Sequence, residues 1–385
     1  MKKGWKEITL KEVANYRRGS FPQPYGNPEW YDGEESMPFV QVAELQEDSF
    51  SLIMPTKKKI SKIAQPLSIF VPKGTVLVSL QGSIGKVGIT EDDCYVDRTI
   101  AIFQSFKIPV EINFFAYQLK IRFSIERLKA RGTTIKTITK EEFANFTVML
   151  PPLSEQKEIV EYLDSSFAKI ETLKANAAKN LDEAKALFQS ALKEALEPKK
   201  GWEEKTINDV VLFRNGIAHE KDIDKGGNYI VINSKFVATE GTIRKYTNEQ
   251  LSPLYTNEIV MVMSDVPKGK TLAKCYIIDC DNKYSLNQRI CAFKSKGLDV
   301  KFLYYMLNRN PNLLKYDNGE NQTNLRKNQI LECPVTYPVQ KNEQQEIVDK
   351  LDSLKSKVDR LQENFDKISM ECDALKQAIL RQVFE

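Results

Sequence analysis

The chain has 385 residues, 56 of them basic and 52 acidic, for a net charge of +4. Division by roughly 150 residues per domain predicts about 2.6 domains, and 42% apolar with 28% charged residues is ordinary for a soluble globular protein. The longest apolar run, Ile259-Val260-Met261-Val262-Met263, is too short to span a bilayer. No apolar segment follows the opening lysines, so a reducing, cytoplasmic setting is expected.

Taken in chain order, residues 1–153 read as a mixed lobe. Thr75-Val76-Leu77-Val78-Ser79-Leu80 is a short strand signal, and 114–129 has helical character. Residues 154–196 hold no glycine or proline, and Pro198 closes the segment. Ser154 is the expected N-cap after Pro151-Pro152. Val160, Leu163, Phe167, Ile170, Ala177, Leu181, Ala184, Phe188, Ala191 and Ala195 alternate at spacings of three and four, with Lys174 breaking the run. That is a heptad seam. Residues 201–340 form a second mixed lobe, with strand character over 258–263 and helical character over 300–308. A second heptad helix follows from about residue 342, with Ile347, Leu351, Leu354, Val358, Leu361, Phe365, Ile368, Cys372, Leu375 and Ile379 on its seam.

The two halves repeat. Gly4-Trp5 returns as Gly201-Trp202, and Val13, Arg17 and Gly19 return as Val210, Arg214 and Gly216. Val96-Asp97-Arg98-Thr99-Ile100-Ala101-Ile102-Phe103 matches Leu286-Asn287-Gln288-Arg289-Ile290-Cys291-Ala292-Phe293. Glu155-Gln156-Lys157-Glu158-Ile159-Val160 matches Glu343-Gln344-Gln345-Glu346-Ile347-Val348. The ends of each copy match well and the middles poorly. Because the second lobe starts where the first helix stops, packing the two seams together predicts an antiparallel pair with one lobe at each end. The expected fold is α+β: two homologous mixed α/β lobes separated by a pair of long antiparallel coiled-coil helices, pseudo-two-fold symmetric. Net charge is +4 over 1–153 and +3 over 201–340, against −1 and −2 for the helical segments, so the positive excess lies on the lobes.

Catalytic constellations are missing. His219 is the one histidine, read as a solvated loop residue, and Cys94, Cys275, Cys280, Cys291, Cys333 and Cys372 contain no Cys-x-x-Cys pair. Leu150-Pro151-Pro152-Leu153 has the outline of the amino-methyltransferase motif, but Leu150 cannot accept from an amine. Gly82-Ser83-Ile84-Gly85-Lys86-Val87-Gly88 lacks the P-loop form. It reads as a turn between strands in preference to a phosphate-approaching loop. Glu155-Gln156-Lys157 has a nuclease-like spacing and reads as a solvated helix face.

The paired Gly-Trp starts, Leu286-Asn287-Gln288-Arg289, Pro151-Pro152-Leu153-Ser154-Glu155-Gln156 opening a helix, and the closing Leu375-Lys376-Gln377-Ala378-Ile379-Leu380 resemble the specificity subunit of type I restriction–modification systems. The resemblance spans essentially the whole chain. It implies target-recognition domains over 1–153 and 201–340 and spacer helices over 154–200 and 341–385. It also implies a non-catalytic chain that recognises a bipartite double-stranded DNA target and docks two methyltransferase subunits. Restriction/translocase subunits join such complexes. S-adenosylmethionine, ATP and magnesium would then belong to partner subunits, with no cofactor and no metal in this chain. A coiled-coil adaptor with two protein-binding lobes and no DNA contact is the alternative.

Groove readout needs Arg, Lys, Asn, Gln, Ser or Thr, and phosphate contacts use Lys and Arg. In the first lobe the candidates are Arg17, Arg18, Lys57, Lys58, Lys59, Gln81, Ser83, Lys86, Arg98, Thr133, Thr134 and Lys136. Lys57-Lys58-Lys59 reads equally as a solvated turn. In the second they are Arg214, Asn215, Asn233, Lys235, Arg244, Lys268, Lys270, Gln288, Arg289, Gln322, Thr323, Asn324 and Arg326.

Overall fold

The computed structural model describes residues 4–47, 49, 56–129, 138–219, 221–266, 269–317, 319 and 322–384, with the backbone alone over 125–129. The contacts divide the chain into two units, residues 1–177 with 366–385, and residues 178–365.

In the first unit the strand Lys6–Thr9 pairs antiparallel with Thr147–Leu150, which ties the start of the lobe to its end. Between them lie two four-stranded sheets. One orders Ala14–Arg18, Ile100–Phe106, Val76–Ser79 and Val87–Ile89, all antiparallel. The other orders Lys59–Ile60, Met37–Val40, Cys94–Val96 and Ile69–Val71, with the central pair parallel. The helix Ile112–Lys129 lays Phe114, Phe115, Leu119 and Phe123 against the first sheet.

The apolar run at 76–79 is explained by burial on both faces. Alternate residues of a strand point to opposite sides of a sheet. Val76 and Val78 enter the core with Phe103, Phe114 and Phe115, while Leu77 enters a second cluster with Val40, Val96, Ile100 and Ile102. A strand covered on both sides loses the polar alternation of a half-exposed one. The glycine segment 82–88 spans most of the connection from Val76–Ser79 and runs into the strand Val87–Ile89. Gly82 and Gly85 have φ of 72° and 76°, and Ser79 closes the turn by donating to the Ser83 carbonyl at 2.6 Å and accepting from Lys86 N at 2.9 Å.

The second unit follows the same plan. Trp202–Thr206 pairs with Pro334–Pro338. A four-stranded sheet orders Val211–Asn215, Ile290–Ser295, Ile259–Val262 and Cys275–Ile277. Beside it, Tyr246–Thr247, Tyr229–Ile232 and Tyr284–Leu286 form a three-stranded sheet whose last two strands are parallel. Ser264–Asp265 pairs with Thr323–Asn324. Again one strand serves two cores: Ile259 and Met261 join Phe293 and Phe302, whereas Val260 and Val262 join Ile230, Phe236 and Ala292.

The long helices are Leu153–Ala195 and Lys341–Phe384. The first begins one residue ahead of Ser154, which therefore sits inside the helix and is not its cap. Every apolar seam position expected on it is buried or half-buried. In the first unit, Lys174 meets Asp373 at 3.3 Å and Glu171 pairs with Lys376. The partners step in opposite directions, so the two segments run antiparallel. In the second unit, Lys185 donates to Gln362 at 2.9 Å. One seam assignment is corrected. Leu375 is 50% exposed, and the stem of Lys376 takes its place because its ammonium can reach Glu171 at the seam edge.

Candidate nucleic-acid interface

Each lobe is clasped to a long helix by the same side chains. Trp5 donates its indole N–H to Glu155 at 2.8 Å, and Trp202 donates to Glu343 at 2.9 Å. Gln156, 1% exposed, accepts from Glu111 N at 2.9 Å and donates to the Pro151 carbonyl at 2.9 Å. Gln344 repeats this with Asp299 N and the Pro338 carbonyl, both at 2.8 Å. Tyr117 donates to Asp164 at 3.0 Å, and Tyr305 to Asp352 at 2.6 Å. The segment Glu155-Gln156-Lys157 is thus corrected: Lys157 is solvated, but Glu155 and Gln156 face the lobe. A helix-face reading from spacing alone does not see the tryptophan 150 residues earlier.

Beyond this clasp, the main four-stranded sheet of each lobe ends in a turn of matched geometry. Ile100 N donates to the Asp97 carbonyl at 3.1 Å, and Ile290 N to that of Asn287 at 3.3 Å. Leu80 N reaches the Thr99 carbonyl at 2.8 Å, and Met263 N that of Arg289 at 2.9 Å. Ile138 N bonds the Leu80 carbonyl, and Leu325 N the Met263 carbonyl. The preceding strand must pass close by, which explains the repeated glycine. A Cβ on Gly19 would lie 2.2 Å from the Val96 carbonyl oxygen, and one on Gly216 2.0 Å from that of Asn287.

Six of the nine described candidates of the first lobe lie at this end of the sheet. Arg17 and Arg18 are exposed at the end of Ala14–Arg18, where Arg18 donates to the Ile138 carbonyl at 2.9 Å. Arg98 occupies the turn, and Gln81, Ser83 and Lys86 lie in the neighbouring hairpin connection. Lys57, Lys58 and Lys59 are exposed beside the second sheet, with the Lys58 ammonium 4.3 Å over the Tyr31 ring. Thr133, Thr134 and Lys136 lie outside the described residues.

In the second lobe the turn brings together Asn215, Gln288 and Arg289, with Gln322, Thr323 and Asn324 alongside through the Ser264–Asp265 pairing. Gln322 donates to Ser264 Oγ at 2.9 Å and Thr323 to Asp317 at 2.9 Å. Asn233 caps a helix, accepting from Phe236 N, with Lys235 exposed two residues on in its first turn. Arg326, exposed, precedes the helix Lys327–Leu331, and Lys270 is exposed after Gly269. Arg244 lies after the helix Ser234–Ala238 and donates to the Gly241 carbonyl. Lys268 lies outside the described residues.

Arg214 is held by partners within its own lobe. Its guanidinium turns inward to Glu258, 2.6 Å away, and to Ser252 and the Pro253 carbonyl. The first lobe has Thr75 in the chain position of Glu258, and Arg17, the repeat partner of Arg214, stays exposed. His219 is corrected. It is fully buried, with Nδ1 against the Ile217 carbonyl and Nε2 against Ser285 Oγ, both at 2.7 Å.

Three side chains that organise these ends were missed. Asp97, 2% exposed, accepts from Tyr25 OH at 2.7 Å and from Thr99 N at 2.9 Å. Burial first, then the adjacent Asp97 carboxylate, push the Tyr25 hydroxyl well above its ordinary range, so it stays a donor. In the second lobe, burial alone would raise the Asp265 carboxyl. N–H groups of Thr271, Val266 and Leu272 outweigh it and hold the group below the ordinary carboxylate range. Asp97 lay within the quoted repeat, but nothing in the sequence placed it beside Tyr25.

This duplicated architecture matches the model of the type I restriction modification DNA specificity domain over residues 2–180 and again over 199–368. The chain belongs to that family. Its role is that of a DNA-specificity subunit. The specificity subunit of the type I restriction enzyme MjaVIII from Methanocaldococcus jannaschii is 23% identical over 333 residues, covering 79% of this chain and 74% of that protein. That of EcoBI from Escherichia coli is 24% identical over 202 residues, 50% of this chain and 41% of that protein. A chain solved in work on complex assembly and conformational transition of the type I R-M system superposes with a TM-score of 0.76 at 18% identity, covering 100% of this chain and 98% of its own. The HsdS subunit from Thermoanaerobacter tengcongensis gives 0.55 at 17% identity, covering 100% and 97%. At these identities the structural likeness is one of fold. Among the described residues, no helix is long and apolar enough to cross a membrane, and no group of three or more His, Cys, Asp or Glu side chains is placed to hold a metal.

Proposed function

We propose that this specificity subunit recognises a DNA target in two parts, each lobe reading one part through the turn-bearing end of its main sheet. The observation that carries this is the matched backbone of the two ends with different side chains on them: Arg18, Arg98 and Thr99 in one, Asn215, Gln288 and Arg289 in the other. Equal scaffolds dock alike on a duplex, and unequal donors select unequal bases. Lys57, Lys58, Lys59, Lys86, Lys235 and Lys270 supply phosphate contacts around them.

The long helices set the gap between the half-sites and dock two methyltransferase subunits. Tyr162, Leu173, Leu187 and Met370 support the docking role, because each is more than half exposed on a helix flank away from the seam. On this reading methyl transfer from S-adenosylmethionine, and any ATP- and magnesium-dependent cleavage by a restriction/translocase subunit, occur on partner chains in the cytoplasm. The test is methylome sequencing of cells with and without this chain, combined with exchange of residues 20–145 for those of a relative. A split methylated motif that disappears with the chain, and changes in one half after the exchange, is the expected outcome. Change in both halves refutes the division of labour.

A further inference from the structure

The two matched turns differ in how their exposed side chains are held, and the difference is concentrated on one residue. In the first lobe the Arg98 guanidinium lies 5.8 Å over the Tyr25 ring. Tyr25 is pinned from several sides. Its hydroxyl donates to the buried Asp97 carboxylate, Gln41 Nε2 donates to that hydroxyl at 2.5 Å, and Tyr31 OH donates to the Tyr25 carbonyl at 2.6 Å. Phe21 packs against both Tyr25 and Tyr31, at ring separations of 5.0 and 5.2 Å. The same Asp97 also accepts from Thr99 N and so shapes the backbone that carries Arg98. A single buried carboxylate therefore fixes both the platform under the guanidinium and the turn from which it extends.

In the second lobe the described residues support the turn differently. Asn287 stands where Asp97 does, and its side-chain oxygen accepts from His219 N at 3.2 Å, a backbone group, instead of an aromatic hydroxyl. Gln288 stands where Arg98 does, and Arg289, with φ of 69°, where Thr99 does.

We infer that Arg98 is a specificity-determining contact of the first lobe, donating to the acceptor edge of a base in its half-site, and that Tyr25 and Asp97 are its positioning residues. The inference rests on the reading of each lobe as a DNA reader. Arginine presents a planar fork suited to two acceptors on one base edge, most commonly those of guanine. Such a contact discriminates only if the fork is held, since a freely rotating arginine serves any nearby phosphate. The ring contact and the Asp97 clamp supply that restraint.

The experiment is selection from a randomised duplex DNA library by the full chain co-purified with its methyltransferase subunits, followed by sequencing of the bound fraction. Arg98→Ala is expected to lower discrimination at one or two adjacent base pairs of one half-site by about 5- to 150-fold, leaving the other half-site unchanged. Arg98→Lys keeps the charge and is expected not to restore the preference, for want of the fork. Tyr25→Phe keeps the ring and removes the link to Asp97, so it should flatten the preference at the same base pairs and nowhere else. A purely structural tyrosine would instead reduce overall binding without changing which bases are preferred. Uniform weakening over all sequences in Arg98→Ala assigns the side chain to a phosphate and overturns the inference, as does an unchanged motif. A wild-type complex that enriches no sequence overturns the DNA reading itself, and this inference with it.

Discussion

Gln344 lies buried between Asp299 and Pro338, accepting from the N–H of the first and donating to the carbonyl of the second, both at 2.8 Å. Gln156 does the same in the other half of the chain. A buried amide that satisfies two backbone groups leaves both orphaned when it is removed. Gln344→Ala is therefore expected to cost about 1–3 kcal/mol. The second unit should unfold at lower temperature, by about 2–4 °C per kcal/mol for a domain of roughly this size. Scanning calorimetry checks this, and an unshifted transition would show that water replaces the glutamine without cost.

Arg214 and Arg17 occupy the same place in the repeat and should respond differently to loss. Arg214→Ala takes the counter-ion from Glu258, whose side chain is 8% exposed and keeps the Tyr255 N–H at 2.9 Å, so the cost is a buried charge without its cation. Because the arginine itself is one-third exposed, about 2–3 kcal/mol is expected, below the roughly 3–5 kcal/mol of a fully buried pair. Arg17→Ala should stay within about 0.5 kcal/mol. Denaturant midpoints of the two variants decide, and equal values would refute the contrast.

Gly216 passes so close to the Asn287 carbonyl that a side chain has nowhere to go. Gly216→Ala is expected to displace the turn carrying Gln288 and Arg289, and DNA selected by the variant should lose its preference in one half only. Unaltered preferences in both halves would mean that the turn can shift without reading differently.

Phosphate contacts release counterions, so affinity for DNA should fall steeply as salt rises. Replacing Lys57, Lys58 and Lys59 together by alanine should weaken binding evenly across sequences. It should also reduce the slope of log affinity against log salt by about one for each lysine that touches a phosphate. Titration at several salt concentrations measures it. Unchanged slope assigns the three lysines to solvent.

Inserting one heptad into the first long helix at Ala177, with a matching heptad in the second, keeps the seam in phase and adds about 10 Å of helix. The gap tolerated between the two half-sites should lengthen. An unchanged gap in a folded variant would sink the ruler role of the helices.

Much of this protein was legible before its structure. The heptad spacing located both long helices because a seam must recur every three or four residues to stay on one face, whatever it meets there. The single misplaced seam residue, Leu375, shows the limit: exposure there was decided by Lys376 reaching Glu171, a residue on the other helix. The repeat named the turn residues Arg98, Gln288 and Arg289, since short collinear matches survive where backbone geometry is shared.

By itself, then, the amino-acid order determined the duplication, the two rods and the lobe that precedes each of them, because each is a matter of local period or residue type. Only the tertiary structure decided which polar groups face outward. Arg214 and His219 turned inward because Glu258 and Ser285 lie beside them, 44 and 66 residues away. Asp97 became the keystone of one lobe because Tyr25, 72 residues earlier, folds over it. Pairings between residues so far apart leave no period in the chain, and they exist only once burial has excluded the water that would otherwise satisfy each partner separately.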